Sequence, residues 1–174
     1  MLTQTAAIVD SSTLINLAAT DLLGEIVREI SPNCFICRSV VERECLYIRS
    51  ADGATVEELR PDQWINSGIF SECEPSDAEG ETFVTYAASL DDGEAMCLTL
   101  ASSRQWALVI DDRKGQRLAT DLGIRVITTS AIMQNWARGK TQDEVASALR
   151  KIETRARFAP AQDDANYDWW RRNH

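Results

Sequence analysis

The chain has 174 residues, a formal net charge of −9 and 44% apolar residues, which suits one compact domain with at most a short appendage. Its single histidine is His174, the last residue, which excludes a Ser-His-Asp triad, a Cys-His pair and a histidine-held zinc. Catalysis is left to carboxylates, hydroxyls, lysine or a metal held by oxygen, and with no bilayer-length apolar run and no signal-peptide pattern in MLTQTAAIVD a cytoplasmic location is expected.

Taken in chain order, Ala6 to Val9 reads as a buried strand ending at Asp10. Ser11 to Ala19 switches to helical spacing. Asp21 is placed to cap a second helix carrying Leu22, Leu23, Ile26, Val27 and Ile30, stopped by Pro32. Cys34 to Cys37 is a second strand. Ser39 and Glu42 have capping-box spacing for a third helix burying Val40, Val41, Cys45 and Ile48. After a break at Asp52-Gly53, a short helix runs to Leu59 with Pro61 closing it, and Trp64-Ile65 form a short strand.

Glu72 to Gly80 reads as irregular and Thr82 to Leu90 as helical. Asp91 or Asp92 caps a further helix. Ala107 to Ile110 is an apolar strand ending at Asp111-Asp112, followed by a helix from Arg113 to Leu122 that stops at Gly123. Ile124 to Ile127 is the last strand, and helices follow near 129–137 and 142–157. Short apolar strands alternating with helices predict an α/β fold: a three-layer α/β/α sandwich with a central parallel sheet. The division expected is a domain over 1–157 and a C-terminal tail over 158–174.

The five cysteines are Cys34, Cys37, Cys45, Cys73 and Cys97. Cys34 and Cys37 make one CxxC, but no second pair follows, so reduced core thiols are the better reading than zinc or redox chemistry.

The chemistry lies in the acids. In an open parallel sheet, ligands bind beyond the carboxyl ends of the strands, where Asp10 and the Asp111-Asp112 pair both fall. Each can also be read as a helix cap. Glu94 shares a helix face with Cys97, Leu98 and Ala101, and Glu44 that of Val40, Val41, Tyr47 and Ile48, so both point along a packed side. Two carboxylates about 4 Å apart repel by roughly 4 kcal/mol near a protein surface. A divalent cation offsets that repulsion, and oxygen-only ligation favours Mg²⁺ or Mn²⁺. The residue types therefore point to a metal-dependent site acting on phosphoryl or phosphodiester groups.

Four segments in order also resemble the PIN-domain family. IVDSSTLINLAATDLL, at residues 8–23, is similar to the family's opening, and ICRSVVEREC to the element that supplies a Glu. LDDGEAMCLTLA and LVIDDRKGQRLATDLGIRVITT resemble the branch with a Gly-Glu-Ala helix and an Asp-Asp-Arg strand end. The resemblance implies an Mg/Mn-dependent endoribonuclease, often the VapC-like toxin of a type II toxin–antitoxin pair. It implies Asp10, Glu44, Glu94 and Asp112 as the catalytic and metal-binding acids. Asp111 competes with Asp112 as a ligand, and Glu42 with Glu44. Many family members have Asp where this chain has Glu94.

Ser11 or Ser12 is placed to position a water or a phosphate, and Arg113 and Lys114, with Arg117 and Arg125 nearby, to contact substrate RNA. An alternative for the basic residues is a solvated helix face. A basic antitoxin segment would match the acidic surface, and a homodimer is expected. Trp169 and Trp170 are read as docking on their own domain in preference to stacking on bases. The alternatives for the whole chain are a catalytically weak or inactive PIN-like binding module and, further off, a haloacid-dehalogenase-like phosphatase. The latter needs a D-x-D-x-T start, whereas this chain reads Asp10-Ser11-Ser12-Thr13-Leu14.

Overall fold

A computed structural model describes residues 5–44 and 46–174. Seven strands and ten α-helices are described. Strands β1 (Ala6–Val9), β2 (Asn33–Cys37), β5 (Ser71–Cys73), β6 (Ala107–Val109) and β7 (Val126–Ile127) form one sheet in the order β5-β2-β1-β6-β7. Every pairing in it is parallel. The strands are short and apolar because both faces are covered. Side chains alternate: Ala7 and Val9 enter one core, Ile8 the other, and Ala107/Val109 and Leu108/Ile110 divide the same way.

One face carries α1 (Ser11–Ala18), α2 (Leu23–Ile26), α8 (Thr129–Trp136), α9 (Gln142–Lys151) and α10 (Tyr167–Asn173). The other carries α5 (Asp77–Ala87), α6 (Asp92–Arg104) and α7 (Arg113–Asp121). The three-layer α/β/α sandwich expected from the sequence is the observed architecture. Strand order reverses at β1, so β1 and β6 flank a topological switch point, where doubly wound sheets place their ligand crevice.

Several local expectations are corrected. Asp21 caps no helix: it has φ 63°, and α2 starts from Leu22 without a side-chain cap. Its carboxylate instead meets Lys151 at 2.8 Å and Arg155 at 2.7 Å, ion pairs that lie far away in sequence. The Ser39–Glu42 capping box does not form either. Helix α3 (Arg38–Arg43) starts from Cys37, Ser39 Oγ turns to Cys37 Sγ, and Glu42 pairs with Arg38 at 2.9 Å. That helix ends at Arg43, so Ile48 leaves it, and Cys45 lies outside the described residues.

The stretch from Tyr47 to Leu59 is a hairpin, not a helix. Strands β3 (Tyr47–Arg49) and β4 (Val56–Glu58) pair antiparallel, as a two-stranded addition to the parallel sheet. Asp52 fixes the turn by accepting from Ser50 Oγ and from the Ala54 N–H at 2.9 Å, and Gly53 supplies φ 71°. Pro61 opens α4 (Pro61–Asn66) instead of closing a helix, which puts Trp64 and Ile65 in a helix. Between Glu72 and Gly80 the chain is ordered: β5 forms the sheet edge, and Ser76 with Glu79 makes a full capping box for α5.

The C-terminal tail docks. Trp170 is fully buried, edge-on to Phe158, and its Nε1 donates to Glu153 Oε1 at 2.7 Å. Trp169 packs against the same core and is partly buried. Between α9 and the tail, a π-helical turn over Ile152–Ala156 delivers Arg155 into a buried position. Its guanidinium donates to the carbonyls of Arg49 and Ala19 and meets Asp21 and Glu57. The hairpin is thereby pinned to the main domain.

Candidate active site

Asp10 follows β1 directly, and its N–H donates to the Val109 carbonyl at 3.0 Å, so backbone pairing with β6 fixes its place. It is 3% exposed and caps α1, accepting from the Ser12 N–H at 3.1 Å and from Ser12 Oγ at 2.5 Å. Burial pushes its carboxyl up from 3.8 to about 6. The Ser12 bonds pull the other way, and the charges of Glu44 and Asp91 push further up.

Glu94 lies in the first turn of α6, its N–H held by the Asp91 cap at 2.8 Å. Burial raises its carboxyl to about 7, helped by the charges of Asp91, Asp112 and Asp10. Asp112 caps α7 by accepting from the Gly115 N–H at 2.7 Å. The charges that act on Asp10 and Glu94 come from Glu44, Asp91 and Asp112, so these five acids share one electrostatic neighbourhood, at the switch-point edge of the sheet.

Glu44 reaches it by an unexpected route. It is the C-cap of α3, with its N–H on the Val40 carbonyl, and as a residue it is exposed. The predicted packed face of Tyr47 and Ile48 is absent because both sit in β3. The carboxylate lies instead against Gly93, where it fills the space a Cβ would need. Glu42 turns away to Arg38, so of the two competing glutamates only Glu44 stands beside Asp10.

The adjacent Asp111 and Asp112 face different surroundings. Asp111 accepts from the Thr129 N–H at 2.9 Å, Thr129 Oγ1 at 2.5 Å, Asn16 Nδ2 at 3.0 Å and Thr13 Oγ1 at 3.4 Å. It ties α1 and α8 to the end of β6. Burial raises its carboxyl, and the Thr129, Asn16 and Thr13 bonds oppose that rise. Asp112 is the one of the two that bears on Glu94.

Of the hydroxyls, Ser12 is engaged by Asp10. Ser11 is 2% exposed and, among the described residues, its Oγ has no hydrogen-bond partner. Arg113 pairs with Asp163, and Lys114 Nζ donates to the Ser89 carbonyl. Arg117 and Arg125 are exposed. The basic residues therefore flank the acids without neutralising them: among the described residues, no ion pair involves Asp10, Glu44, Asp91, Glu94 or Asp112.

Sequence reasoning left Asp91 as a cap only and passed over Gly93, Thr13, Asn16 and Thr129. The signal for Gly93 was its place directly before Glu94 in a helix, where glycine is otherwise disfavoured. Thr13 and Asn16 lie three and six residues after Asp10, on a helix that leaves the site.

An oxygen-only donor set without a cationic partner suits a hard divalent ion. Among the described residues, no three His, Cys, Asp or Glu side chains stand close enough together to enclose one. The acids share a field here, with Glu44 exposed and Glu94 half-buried.

No curated protein matches the chain. A PIN-domain family model does, across residues 6–163, and that span takes in β1, the whole parallel sheet and all five clustered acids. With that match over most of the sequence, and the acids at the switch point of a parallel sheet, the chain belongs to the PIN-domain family.

Proposed function

We propose that this chain is a metal-dependent ribonuclease that hydrolyses RNA phosphodiester bonds, with Asp10, Glu44, Glu94 and Asp112 as its catalytic, metal-holding acids. The nuclease-like fold of the family supports the reading. One observation carries it: charges on acids from separate segments add to burial in raising the proton affinity of Asp10 and Glu94, and among the described residues no lysine or arginine pairs with them. Mg²⁺ or Mn²⁺, when bound, would offset that repulsion and supply the Lewis acidity that activates water and stabilises phosphoryl charge.

The chain's own residues do the rest. Asp10, fixed by β1–β6 pairing and by Ser12, is the rigid ligand; Glu44 and Glu94 are the adjustable ones. Asp91 adds charge at the rim. Asp111 acts at one remove, holding α1 and α8 in place around Asp10. Ser11, whose buried hydroxyl has no partner among the described residues, would hold a water or a phosphate oxygen. Arg113 and Lys114 would contact the RNA strand, giving up their present partners Asp163 and the Ser89 carbonyl.

Within this reading, residues 1–157 form the nuclease domain and 158–174 a docked C-terminal segment. The protein acts in the cytoplasm as a homodimeric toxin of a type II toxin–antitoxin pair, its acidic surface matched by a basic antitoxin segment. Among the described residues, no helix is long and apolar enough to cross a membrane. A binding module that does not cut is the second reading, favoured by the absence, among the described residues, of three acids at ligating distance.

Purified protein with Mg²⁺ or Mn²⁺ should cleave RNA, and EDTA or Asp10→Asn should stop it. Cleavage that survives both would overturn the catalytic assignment. RNA binding without cleavage under any metal would favour the second reading.

A further inference from the structure

The exposed face of α7 and the C-terminal segment form a shallow cleft of about 310 Å³, lined by Arg113, Gln116, Arg117, Thr120, Asp121 and Asp163. Arg113 and Arg117 are four residues apart on α7, so their side chains project from one helical face. Gln116 Nε2 is already held by the Asp111 carbonyl at 2.9 Å. The anion resting on this face is the chain's own: Asp163 pairs with Arg113. Among the described residues, Arg117 makes no ion pair, although Asp121 shares the cleft lining, so this guanidinium is free to meet an added anion.

Asp163 is presented from a firmly anchored segment. Pro160 before it is buried. Asp164 after it takes Ser130 Oγ at 2.8 and 2.9 Å and the Asn166 N–H at 2.7 Å. Further on, Trp170 sits in the core. These anchors hold the segment whether or not Asp163 touches Arg113, and both partners of that pair are more than half exposed. Exposed pairs of this kind contribute at most about 1 kcal/mol, so this contact is replaceable. Arg113 directly follows Asp112 in the chain, at the start of α7.

We propose that the Arg113–Arg117 face of α7 is a contact site for a backbone phosphate of the RNA strand on which the acid cluster acts, and that Asp163 occupies it until that phosphate displaces it. The idea rests on the ribonuclease reading and adds to it a built-in competitor for substrate. Asp163 lowers affinity for any short anion and leaves longer strands, with further contacts, able to displace it.

The test is fluorescence anisotropy with a labelled single-stranded oligoribonucleotide and the full chain carrying Asp10→Asn, in EDTA, over a salt series. Asp163→Asn should bind about two- to fivefold tighter, matching the small worth of an exposed pair. Arg113→Ala should bind more weakly, with a salt slope shallower by about 0.7, the value for one phosphate contact on a single strand. Adding Asp163→Asn to Arg113→Ala should bring no gain. Asp168→Asn, an exposed acid elsewhere on the C-terminal segment, should have no effect. An unchanged affinity for Asp163→Asn overturns the proposal, as does a gain that persists without Arg113 or appears equally at Asp168. If the parent chain binds no RNA at any salt, the ribonuclease reading falls as well, and that result is distinct from binding that ignores Asp163.

Discussion

The Oε1 atom of Glu44 stands 2.0 Å from the position a Cβ on Gly93 would take. The carboxylate of Glu44 and the first turn of α6 are thus fitted to each other, and a side chain at position 93 would displace Glu44 from where its charge acts on Asp10. Gly93→Ala should leave the fold intact, because the atom in the way ends a flexible side chain, and alanine gains about 1 kcal/mol of helix propensity. RNA cleavage should nevertheless fall about 10²-fold, the scale for displacing a catalytic group by an ångström. Thermal melts and cleavage rates on the same preparation check this; full activity in the alanine variant would show that Glu44 is dispensable.

Asp10 makes a pH-dependent prediction whose sign is fixed by its raised carboxyl. A carboxyl raised from 3.8 to about 6 on folding favours the folded state fully below 3.8, and that contribution is lost as pH rises through about 6. In the metal-free protein, charged Asp10 is therefore a liability at pH 8, by at most about 3 kcal/mol. Asp10→Asn keeps the α1 cap and should stabilise the metal-free chain at pH 8, with the advantage gone by pH 4. Urea unfolding in EDTA at the two pH values measures it. An equal gain at both would sever the effect from ionisation.

Metal should reverse that liability. Bound ion needs Asp10 and Glu94 deprotonated, and their carboxyls sit at about 6 and about 7. Mg²⁺ or Mn²⁺ at about 100 times its Kd should stabilise the chain by about 2.7 kcal/mol at pH 8. The effect should fade toward pH 5 as both groups take up protons, and removal with EDTA should abolish it. Melting curves with and without metal at the two pH values give the comparison; a metal effect that grows at low pH would contradict these ligands.

The neighbours Asp111 and Asp112 should separate cleanly. Asp111→Ala removes the acceptor of the Thr129 N–H and Oγ1 and leaves Asn16 Nδ2 only its weaker bond to Thr129 Oγ1, at a cost of about 1–3 kcal/mol for each buried group left unpaired. Asp112→Asn keeps the α7 cap and should change stability by less than about 1 kcal/mol, yet abolish cleavage. Denaturation midpoints set against cleavage rates distinguish the two, and loss of stability in the Asp112 variant would reverse the roles.

Trp170→Ala should cost about 3–5 kcal/mol, the scale for deleting a large buried aromatic. A near-neutral result by denaturant titration would mean that the tail docks only weakly.

These contrasts also show what the sequence could reveal. The parallel sheet and its helical cover were legible because β1, β2 and β6 are uninterrupted apolar runs closed by polar residues. The acids at strand ends were legible for the same reason. The reading failed where tertiary partners override local signals. Asp21 has a capping residue's chemistry but answers to Arg155, more than a hundred residues away. Ser39 and Glu42 have the spacing of a capping box, yet Arg38 draws Glu42 off. The hairpin was missed because β4 is exposed at every position and so carries no buried alternation. Asp111 and Asp112 are adjacent in sequence and face opposite partners, which no spacing rule resolves.

The two ends of the main sheet limit how copies of this chain can meet. At one border β7 offers two residues; at the other β5 offers three, with Glu72 engaged by Arg38. Borders this short and charged give an incoming strand little backbone to zip onto. Self-association through the main sheet's borders is therefore disfavoured, and contacts built from helical surfaces would leave the crevice between β1 and β6 open.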